Sequence, residues 1–340
     1  MKTILKHLLI PTLTKPPFAN IGEWLLGNGV PIFMVHRMQV DGGSPTGISP
    51  EHLRRCLQYL VDEGFNFISL ETIVQAVAQG QALPAKSVAF TMDDGFWDQA
   101  EIAAPIFIEF NCPVTFFVIT GMLDNDLWPW DAKVAYLTNT TQKETIAISL
   151  ADEQFLLPVT NEPERQEARN ILRDTIKSIA ATDIESSLEK LEKATDVAMP
   201  KIAPPYLRPT TWETARQLEK HDIKFAPHTV SHRILSKLDA TSAEKEIRDS
   251  WQRIKDELTS PSPIFCYPNG RYCDYGPREI ALLKKYGFKG AVSTLPDNIN
   301  NSGSSGDYTY NLPRYSLPTD FHDFMKYCSW IENMKHHNTL

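Results

Sequence analysis

Two adjacent carboxylates, Asp93 and Asp94, end an apolar run in the stretch SVAFTMDDG and are followed by a glycine. At a strand end that runs into a glycine turn, both side chains can reach the same cleft. Like charges this close repel each other unless a cation or a proton neutralises one of them. The pair therefore predicts a cation site or, as the simpler alternative, a loop in which one Asp caps the next helix.

Two histidines, His228 and His232, lie four residues apart in the segment HTVSH, which also follows a strand-like run. This spacing lets both imidazoles reach one metal from a helical turn or a compact loop. Together with Asp94 they form a two-histidine, one-carboxylate set with open coordination positions, which is typical of a catalytic metal. The sequence thus predicts that Asp94 binds the ion while Asp93 stays free beside it.

Length and composition limit the kinds of protein this chain can be. It has 340 residues, is 42% hydrophobic and carries a net charge of −8. A chain of this kind can form one large α/β domain or two smaller ones. The acidic balance argues against a general nucleic-acid binder or a protein that binds anionic membranes.

The cysteines and the N-terminal stretch bear on the compartment. Five cysteines without a CxxC pair argue against a disulfide framework or a thiolate zinc site and favour a reducing compartment. The stretch MKTILKHLLIP is a poor signal peptide because Lys6 and His7 interrupt it, and no apolar run could span a bilayer. We expect a cytoplasmic location, free or membrane-associated, with a periplasmic or secreted location left open.

Strand-like and helix-like segments alternate along most of the chain, which favours a parallel sheet covered by helices. Strands are predicted at VPIFMVH, FNFISL, SVAFTM, PVTFFVIT and KGAVST, while IKFAPHTVSH is predicted as a strand running into a loop and SPIFCYPNG as a strand running into a turn. Residues 124 to about 205 interrupt this alternation with a long, charged, helical stretch. We expect a single catalytic domain over residues 1–340 with a helical insertion at about 124–205.

The motifs TMDDG and HTVSH resemble the first two motifs, TFDDG and H(S/T)xxH, of the polysaccharide deacetylases of the NodB-homology class, carbohydrate esterase family 4. The resemblance runs from about Val30 to Leu317 and includes PVTFFV, FCYPNG and LPRYSL. It implies an α/β fold, a distorted (β/α) barrel, that hydrolyses N-acetyl groups on amino sugars. It also implies a bound divalent ion, zinc in the first place, with cobalt, nickel or manganese as alternatives.

The resemblance also assigns roles to single residues. By motif, Asp93 would be the general base, and the metal ligands would be Asp94, His228 and His232. The turn FCYPNG stands where the family often has RPPYG, so a backbone N–H near Pro268, Asn269 and Gly270 is expected to stabilise the oxyanion.

The usual arginine of the RPPYG motif is missing from this sequence. Arg314, in LPRYSL, is the candidate to pair with Asp93 and orient it. The equal alternative is a surface arginine that lays its aliphatic stem along the protein.

The general acid is the second departure from the family pattern. Many members supply it as a histidine in a C-terminal Leu-x-His motif, which is missing near the end of this chain. The stretch FMVHR resembles a YHR signature of the subgroup whose acid follows the first strand, so His36 would protonate the leaving amine. The alternatives are that His36 is a core histidine, and that His322 is the acid, although its helix-like context favours a structural role.

Three further residues have simpler interpretations. We expect Asp98 to cap the helix that follows it. Trp128 and Trp130 would either stack on sugar rings or anchor the insertion.

The function predicted from these features is a metal-dependent hydrolase. It would remove an N-acyl group, acetyl in the first place, from an amino sugar in a polysaccharide or glycan precursor. The alternatives are a non-catalytic carbohydrate-binding relative, and a deformylase or peptidoglycan deacetylase of the same fold. A free carboxylate beside the metal ligands argues for catalysis, since a protein that only binds sugar does not need one. We therefore expect an N-acetylated carbohydrate as the partner.

Overall fold

The computed structural model describes residues 2–27, 29–39, 47–124, 128–179, 183–299 and 307–337. The strands within these ranges are β1 (Ile32–Val35), β2 (Asn66–Phe67), β3 (Ser87–Met92), β4 (Val114–Val118), β5 (Thr145–Leu150), β6 (Glu153–Pro158), β7 (Ile223–Pro227), β8 (Ile264–Cys266), β9 (Gly290–Val292) and β10 (Tyr315–Ser316).

The helices of the same ranges alternate with these strands. They are α1 (Lys2–Leu13), α2 (Phe18–Leu26), α3 (Pro50–Asp62), α4 (Leu70–Gln79), α5 (Ala104–Glu109), α6 (Thr120–Leu123), α7 (Trp130–Thr140), α8 (Glu162–Ser178), α9 (Ile184–Thr195), α10 (Trp212–Leu218), α11 (Ala240–Glu257), α12 (Pro277–Lys285), α13 (Phe321–Tyr327) and α14 (Trp330–His337). None of these helices is both long and apolar enough to cross a membrane.

Parallel strands form the centre of the molecule, in the order β10-β1-β3-β4-β7 with β2 also paired to β3. β8 and β9 form a second parallel pair. The two groups join on both sides. Before β8, the N–H of Ser262 donates to the carbonyl of Phe225 on β7 (2.8 Å), and the N–H of Leu312, ahead of β10, donates to Ala291 on β9 (3.0 Å). The strands therefore follow one another around a ring, which is the distorted (β/α) barrel expected from the sequence.

The barrel strands are buried along their whole length, which explains their continuous apolar sequences. Every residue of β1, β3 and β4 is buried, as expected for parallel strands with side chains on both faces covered. The outer helices bury only one face. On α3 the side chain of Ser49 caps the first turn by accepting from the N–H of His52, and Leu53, Leu57 and Leu60 face the core.

The insertion has a core of its own. Helices α7, α8 and α9 pack against an antiparallel hairpin of β5 and β6, with Leu137, Ile146, Leu172 and Leu191 among the buried side chains. The hairpin was not predicted. Its first strand, TIAISL, alternates exposed and buried residues with a period of two, which is the pattern of a strand with one buried face.

Candidate active site

The carboxyl ends of several barrel strands meet at one edge, as parallel strands require. A cavity of about 290 Å³ opens there. Its lining contains most of the residues singled out in the sequence: Met34, His36, Asp93, Asp94, Asp131, Lys177, His228, His232, Tyr267, Asn269, Arg271, Thr294 and Ser316.

The three predicted metal ligands converge in this cavity. Oδ1 of Asp94 lies 3.6 Å from Nε2 of His228 and 3.6 Å from Nε2 of His232. Nδ1 of His228 donates to the carbonyl of Cys266 (2.8 Å), which leaves the lone pair on Nε2 for a ligand. Two imidazole nitrogens and one carboxylate oxygen at this separation fit a zinc-like ion.

Three residues that line the cavity have an uncommon backbone conformation. The φ angles of Asp94 (84°), His232 (57°) and Asn269 (60°) lie in the left-handed region, which non-glycine residues occupy at a cost. Oγ1 of Thr229 accepts from the N–H of His232 (2.9 Å) and closes the loop that carries both histidines. This loop is compact rather than helical, so the first of the two predicted arrangements is wrong and the second is right.

Two polar side chains that the sequence analysis missed support the loops at the site. Oε1 of Gln99 accepts from the N–H groups of Gly95 and Phe96, and its Nε2 donates to the carbonyl of His36. Gln99 thus connects the turn after the two aspartates to the end of β1. Glu246 on α11 does the same for the histidine loop by accepting from two of its backbone N–H groups.

Burial sets the ionisation of the ligand side chains. It raises the pKa of Asp94 to about 7, and the charges of Asp131 and Asp93 add to this effect. Burial also lowers the pKa of His228 to about 3, assisted by the charge of His232. The imidazole of His228 is therefore neutral and ready to coordinate, while Asp94 gains most from a nearby cation.

Asp93 forms a two-pronged ion pair with Arg314. Nη1 and Nη2 of Arg314 donate to the two carboxylate oxygens at 2.7 and 2.8 Å. Arg314 is fully buried, and further donors reach Oγ1 of Thr91 (2.8 Å) and the carbonyl of Ser293 (3.0 Å). The surface-arginine alternative is therefore wrong. Burial alone would raise the pKa of Asp93, but the charges of Arg314 and His36 outweigh it and hold that pKa below its usual value.

Cys266 occupies the position where the family motif has its arginine. Its Sγ lies 3.5 Å from Oδ2 of Asp93 and 3.1 Å from Nη2 of Arg314. A small thiol at this place leaves room for the guanidinium that arrives ahead of β10. The arginine that pairs with Asp93 in this chain thus precedes β10 and does not come from the turn after β8.

His36 and His322, the two candidates for the general acid, lie in different surroundings. Nε2 of His36 is 3.7 Å from Oδ2 of Asp93, and its side chain is 44% exposed, so it is not a core histidine. His322 stacks on His7 with 4.3 Å between ring centroids and does not line the cavity. The geometry favours His36 as the residue that can meet a substrate.

The turn expected to supply an oxyanion donor contributes mainly through Asn269. Pro268 has no N–H, and the N–H of Gly270 donates to the carbonyl of Pro268 (2.7 Å). Both residues therefore shape the turn rather than donate to a ligand. Asn269 lines the cavity, and its Nδ2 is buried without a hydrogen-bond partner. Such an orphaned donor is available to a substrate oxygen.

Asp98, Trp128 and Trp130 have structural roles. Asp98 does not cap the following helix: it accepts from the N–H of Met38 (2.6 Å) and from Nε of Arg37 (3.1 Å). The Asp98 carboxylate thus binds the segment that follows β1, and these hydrogen bonds take the place of the predicted helix cap. Trp128 and Trp130 are 7% and 5% exposed and pack in the barrel core and the insertion core, respectively. They anchor the insertion and have no exposed face on which a sugar could stack.

Comparison with known proteins agrees with this geometry. The family model described as polysaccharide deacetylase matches residues 207–291, which include both metal-site histidines and the turn at 268–270. The resemblance to polysaccharide deacetylases is confirmed. No curated protein matches the sequence.

Solved deacetylase structures share the fold over nearly their whole length. The deacetylase PplD from Streptococcus pyogenes, in complex with acetate, is 17% identical with a TM-score of 0.56, and the match covers 90% of this chain and 97% of that one. IcaB from Ammonifex degensii is 14% identical (TM-score 0.53; 89% and 97% covered). A de-N-acetylase from Aggregatibacter actinomycetemcomitans is 16% identical (TM-score 0.52; 87% and 99% covered).

A second, larger groove adjoins this cavity. Its volume is about 800 Å³, and it shares His36, Asp94 and Asp131 with the cavity. One wall comes from the barrel and the other from α7 and α8 of the insertion. The groove therefore runs between the barrel and the insertion.

Proposed function

We propose that the chain is a metal-dependent hydrolase that removes an N-acetyl group from an amino sugar in a polysaccharide or glycan precursor. The observation that carries the proposal is the convergence of Asp94, His228 and His232 beside Asp93, whose charge a buried arginine maintains. The family match and the deacetylase folds support the same activity.

Asp94, His228 and His232 would hold the ion, with zinc as the first choice and cobalt, nickel or manganese as alternatives. The fit rests on neutral imidazoles that present Nε2 and on a buried carboxylate in need of a cation. Such an ion, when bound, polarises a carbonyl and lowers the pKa of water.

Asp93 is placed to act as the general base. Its carboxylate is ionised across the neutral range, because the charges of Arg314 and His36 outweigh the effect of burial on its pKa. It can accept the proton of the attacking water while Arg314 keeps the carboxylate in one orientation.

The other two residues would act on the substrate amide. Asn269 would donate to the carbonyl oxygen as negative charge develops there, since its amide nitrogen has no partner in the protein. His36 would protonate the nitrogen as the C–N bond breaks and a C–O bond to the former water forms. The products are acetate and a free amino sugar.

The test is acetate release from N-acetylglucosamine oligomers by the full-length protein loaded with zinc. We expect one free amine for each acetate. Release of formate from N-formyl substrates alone would replace deacetylation by deformylation. Sugar binding without release of any acid would identify a binding relative and refute the proposal.

Metal content is tested separately. We expect His228→Ala and His232→Ala to lose the bound ion, whereas His322→Ala, outside the cavity, keeps it. Stoichiometric metal in both of the first two variants would show that the ligand set is wrong.

A further inference from the structure

Helix α8 carries four cations at a spacing of four residues, and this feature has no role in the mechanism above. They are Arg165, Arg169, Arg173 and Lys177. Residues four apart lie on the same face of a helix. The three arginines line the groove between barrel and insertion, and Lys177 lines the catalytic cavity itself. A row of positive charge therefore leads along the groove into the active site.

The first half of this row, Arg165 and Arg169, makes contacts within the insertion. Arg165 donates to the carbonyls of Thr138 (2.5 Å) and Thr141 (3.1 Å) at the end of α7. Arg169 pairs with Glu162 (2.5 Å) and is almost completely buried. The hydrogen-bonding groups of both arginines are thus used within the protein, so neither is free for a ligand.

The second half of the row lacks such partners. In the described part of the chain, no carboxylate lies within ion-pair distance of Arg173 or Lys177, and the Nε of Arg173 is buried without an acceptor. Arg271, from the turn after β8, joins them at the cavity, and its own contact with Asp174 (3.7 Å) is on the surface. Burial lowers the pKa of Lys177, and the charge of Arg271 lowers it further.

Three cations brought together with fewer anions are unfavourable unless a ligand supplies negative charge. Two carboxylates lie near them: Asp131, whose Oδ1 is 4.0 Å from Nδ1 of His232, and Asp174, which contacts Arg271 at the surface. Two carboxylates do not balance three cations. The excess positive charge lies beside the position of the scissile amide, at the junction of cavity and groove.

We propose that Arg173, Lys177 and Arg271 bind an anionic group of the substrate, a phosphate ester or a carboxylate, while the acetamido sugar occupies the catalytic cavity. The inference rests on the proposed deacetylase function and specifies its substrate class. A guanidinium fork matches the oxygens of either anion, and the lysine adds a mobile point charge. A neutral amino-sugar polymer offers no such group.

Equilibrium binding to the full-length protein separates the sources of the anion. The probes are three N-acetylglucosamine oligosaccharides of equal length: a neutral one, one with a phosphate ester and one with a uronic acid. We expect at least one charged probe to bind about tenfold or more tightly than the neutral one. This preference should decrease with added salt. Equal affinity for all three probes would overturn the proposal.

Variants assign the preference to the cluster. Arg173→Gln and Lys177→Gln should each reduce affinity for the preferred charged probe about tenfold and leave the neutral probe within about twofold. Lys177→Arg should retain most of the preference. The matched control is Lys190→Gln, which removes an exposed charge from α9 of the same insertion and should change neither affinity. Preference retained in both Gln variants would overturn the proposal.

Acetate release from the same probes distinguishes this proposal from the proposed function. If the charged probe is preferred in binding but no probe loses acetate, the anion site is supported and the deacetylase assignment fails. If all probes lose acetate with equal KM, the deacetylase stands and the anion site is refuted.

Discussion

The charged groups on the two walls of the candidate active-site cavity differ in how far they are paired within the protein. On the barrel side, the Asp93 carboxylate is fully paired with Arg314, and the Nδ1 of His228 is bound to a backbone carbonyl. On the insertion side, Arg173 has a buried Nε without an acceptor, and no carboxylate of the described residues lies within ion-pair distance of Lys177, although Asp131 and Asp174 are near.

This difference suggests separate roles for the two walls, with the reaction on the barrel side and substrate recognition on the insertion side. The barrel groups need no ligand to fix their positions, so they would be preorganised for the proposed reaction. In the proposed anion site, the insertion groups would gain partners from a ligand, so they would select among substrates. We infer that the barrel defines the reaction and the insertion defines the molecule on which it acts.

The largest expected effect is on the barrel side. Asp93→Asn removes the base and should lower turnover by roughly 100- to 10,000-fold while the ion stays bound. It also leaves the buried Arg314 cation unpaired, so the fold should lose stability as well. Metal analysis, acetate release and thermal unfolding measure the three effects.

A double variant separates lost chemistry from lost stability. Asp93→Asn combined with Arg314→Met removes both charges, and we expect it to recover stability relative to the single Asn variant but no turnover. Turnover near the native rate in either variant would show that Asp93 is not the base.

Arg314→Met tests the ion pair from the other partner. Removing one member of a buried pair costs about 3–5 kcal/mol of unfolding free energy. In the native protein the pKa of Asp93 is lowered, so its contribution is present above about pH 4 and is lost as the pH falls. Without Arg314, burial raises that pKa, so the variant should lose stability as the pH rises.

The sign of this pH dependence tests the prediction most directly. Chemical unfolding at about pH 5 and pH 8, with a chelator present, should show a larger deficit at the higher pH. A deficit that is constant with pH would mean that Asp93 remains neutralised by another group. The control is Arg271→Met, which removes an exposed cation and should cost little.

His36→Ala should lower the rate on the amide by about 100-fold, the lower end for a general acid, because the side chain is partly exposed. An ester with a good leaving group needs no proton and should be affected much less. His322→Ala is the matched control and should be nearly silent. A damaging His322→Ala with a mild His36→Ala would reverse the assignment.

Metal affinity should depend on pH through one proton. Asp94, with a pKa of about 7, binds a proton that the ion must displace, whereas His228 stays neutral down to about pH 3. If only Asp94 takes up a proton, the metal affinity should fall about tenfold for each pH unit below pH 7. A competition titration with a chelator at several pH values measures the slope. A slope of two or more would show that the histidines are protonated as well.

The smallest expected effects are changes in stability caused by substitutions in the two halves of the α8 row. Arg165→Gln loses donors that hold the end of α7 and should cost about 1–3 kcal/mol. Lys177→Gln removes a charge from a repulsive cluster and should leave thermal stability unchanged or slightly higher. A larger loss for Lys177→Gln would mean that Lys177 is structural.

The convergence of Asp94, His228 and His232 and the positions of most barrel strands could be predicted because they depend on local signals. A strand that ends on charged residues can be identified in the sequence, and parallel strands bring such ends together. The pairing of Arg314 could not be chosen over a surface position, because burial is a property of the closed barrel. Asp98 was misassigned for the same reason, since its partners follow a different strand.

The insertion was predicted less well than the barrel. The alternation in β5 was visible, but the charged helical residues around it dominated the interpretation. The four-residue spacing on α8 was also visible. Which of its cations would lack partners depends on the neighbours that α7 and the turn at Arg271 provide, and these are tertiary contacts.

The pair between Asp93 and Arg314 has a consequence for how the protein is made. The two residues are 221 positions apart in the chain, so during synthesis from the N-terminus the aspartate leaves the ribosome long before its partner exists. Until then the acidic turn has no guanidinium with which to enter the interior, and a buried carboxylate without one is strongly disfavoured. The ion pair of the proposed base therefore forms only when the barrel closes, so the proposed activity requires the chain to be complete through Arg314.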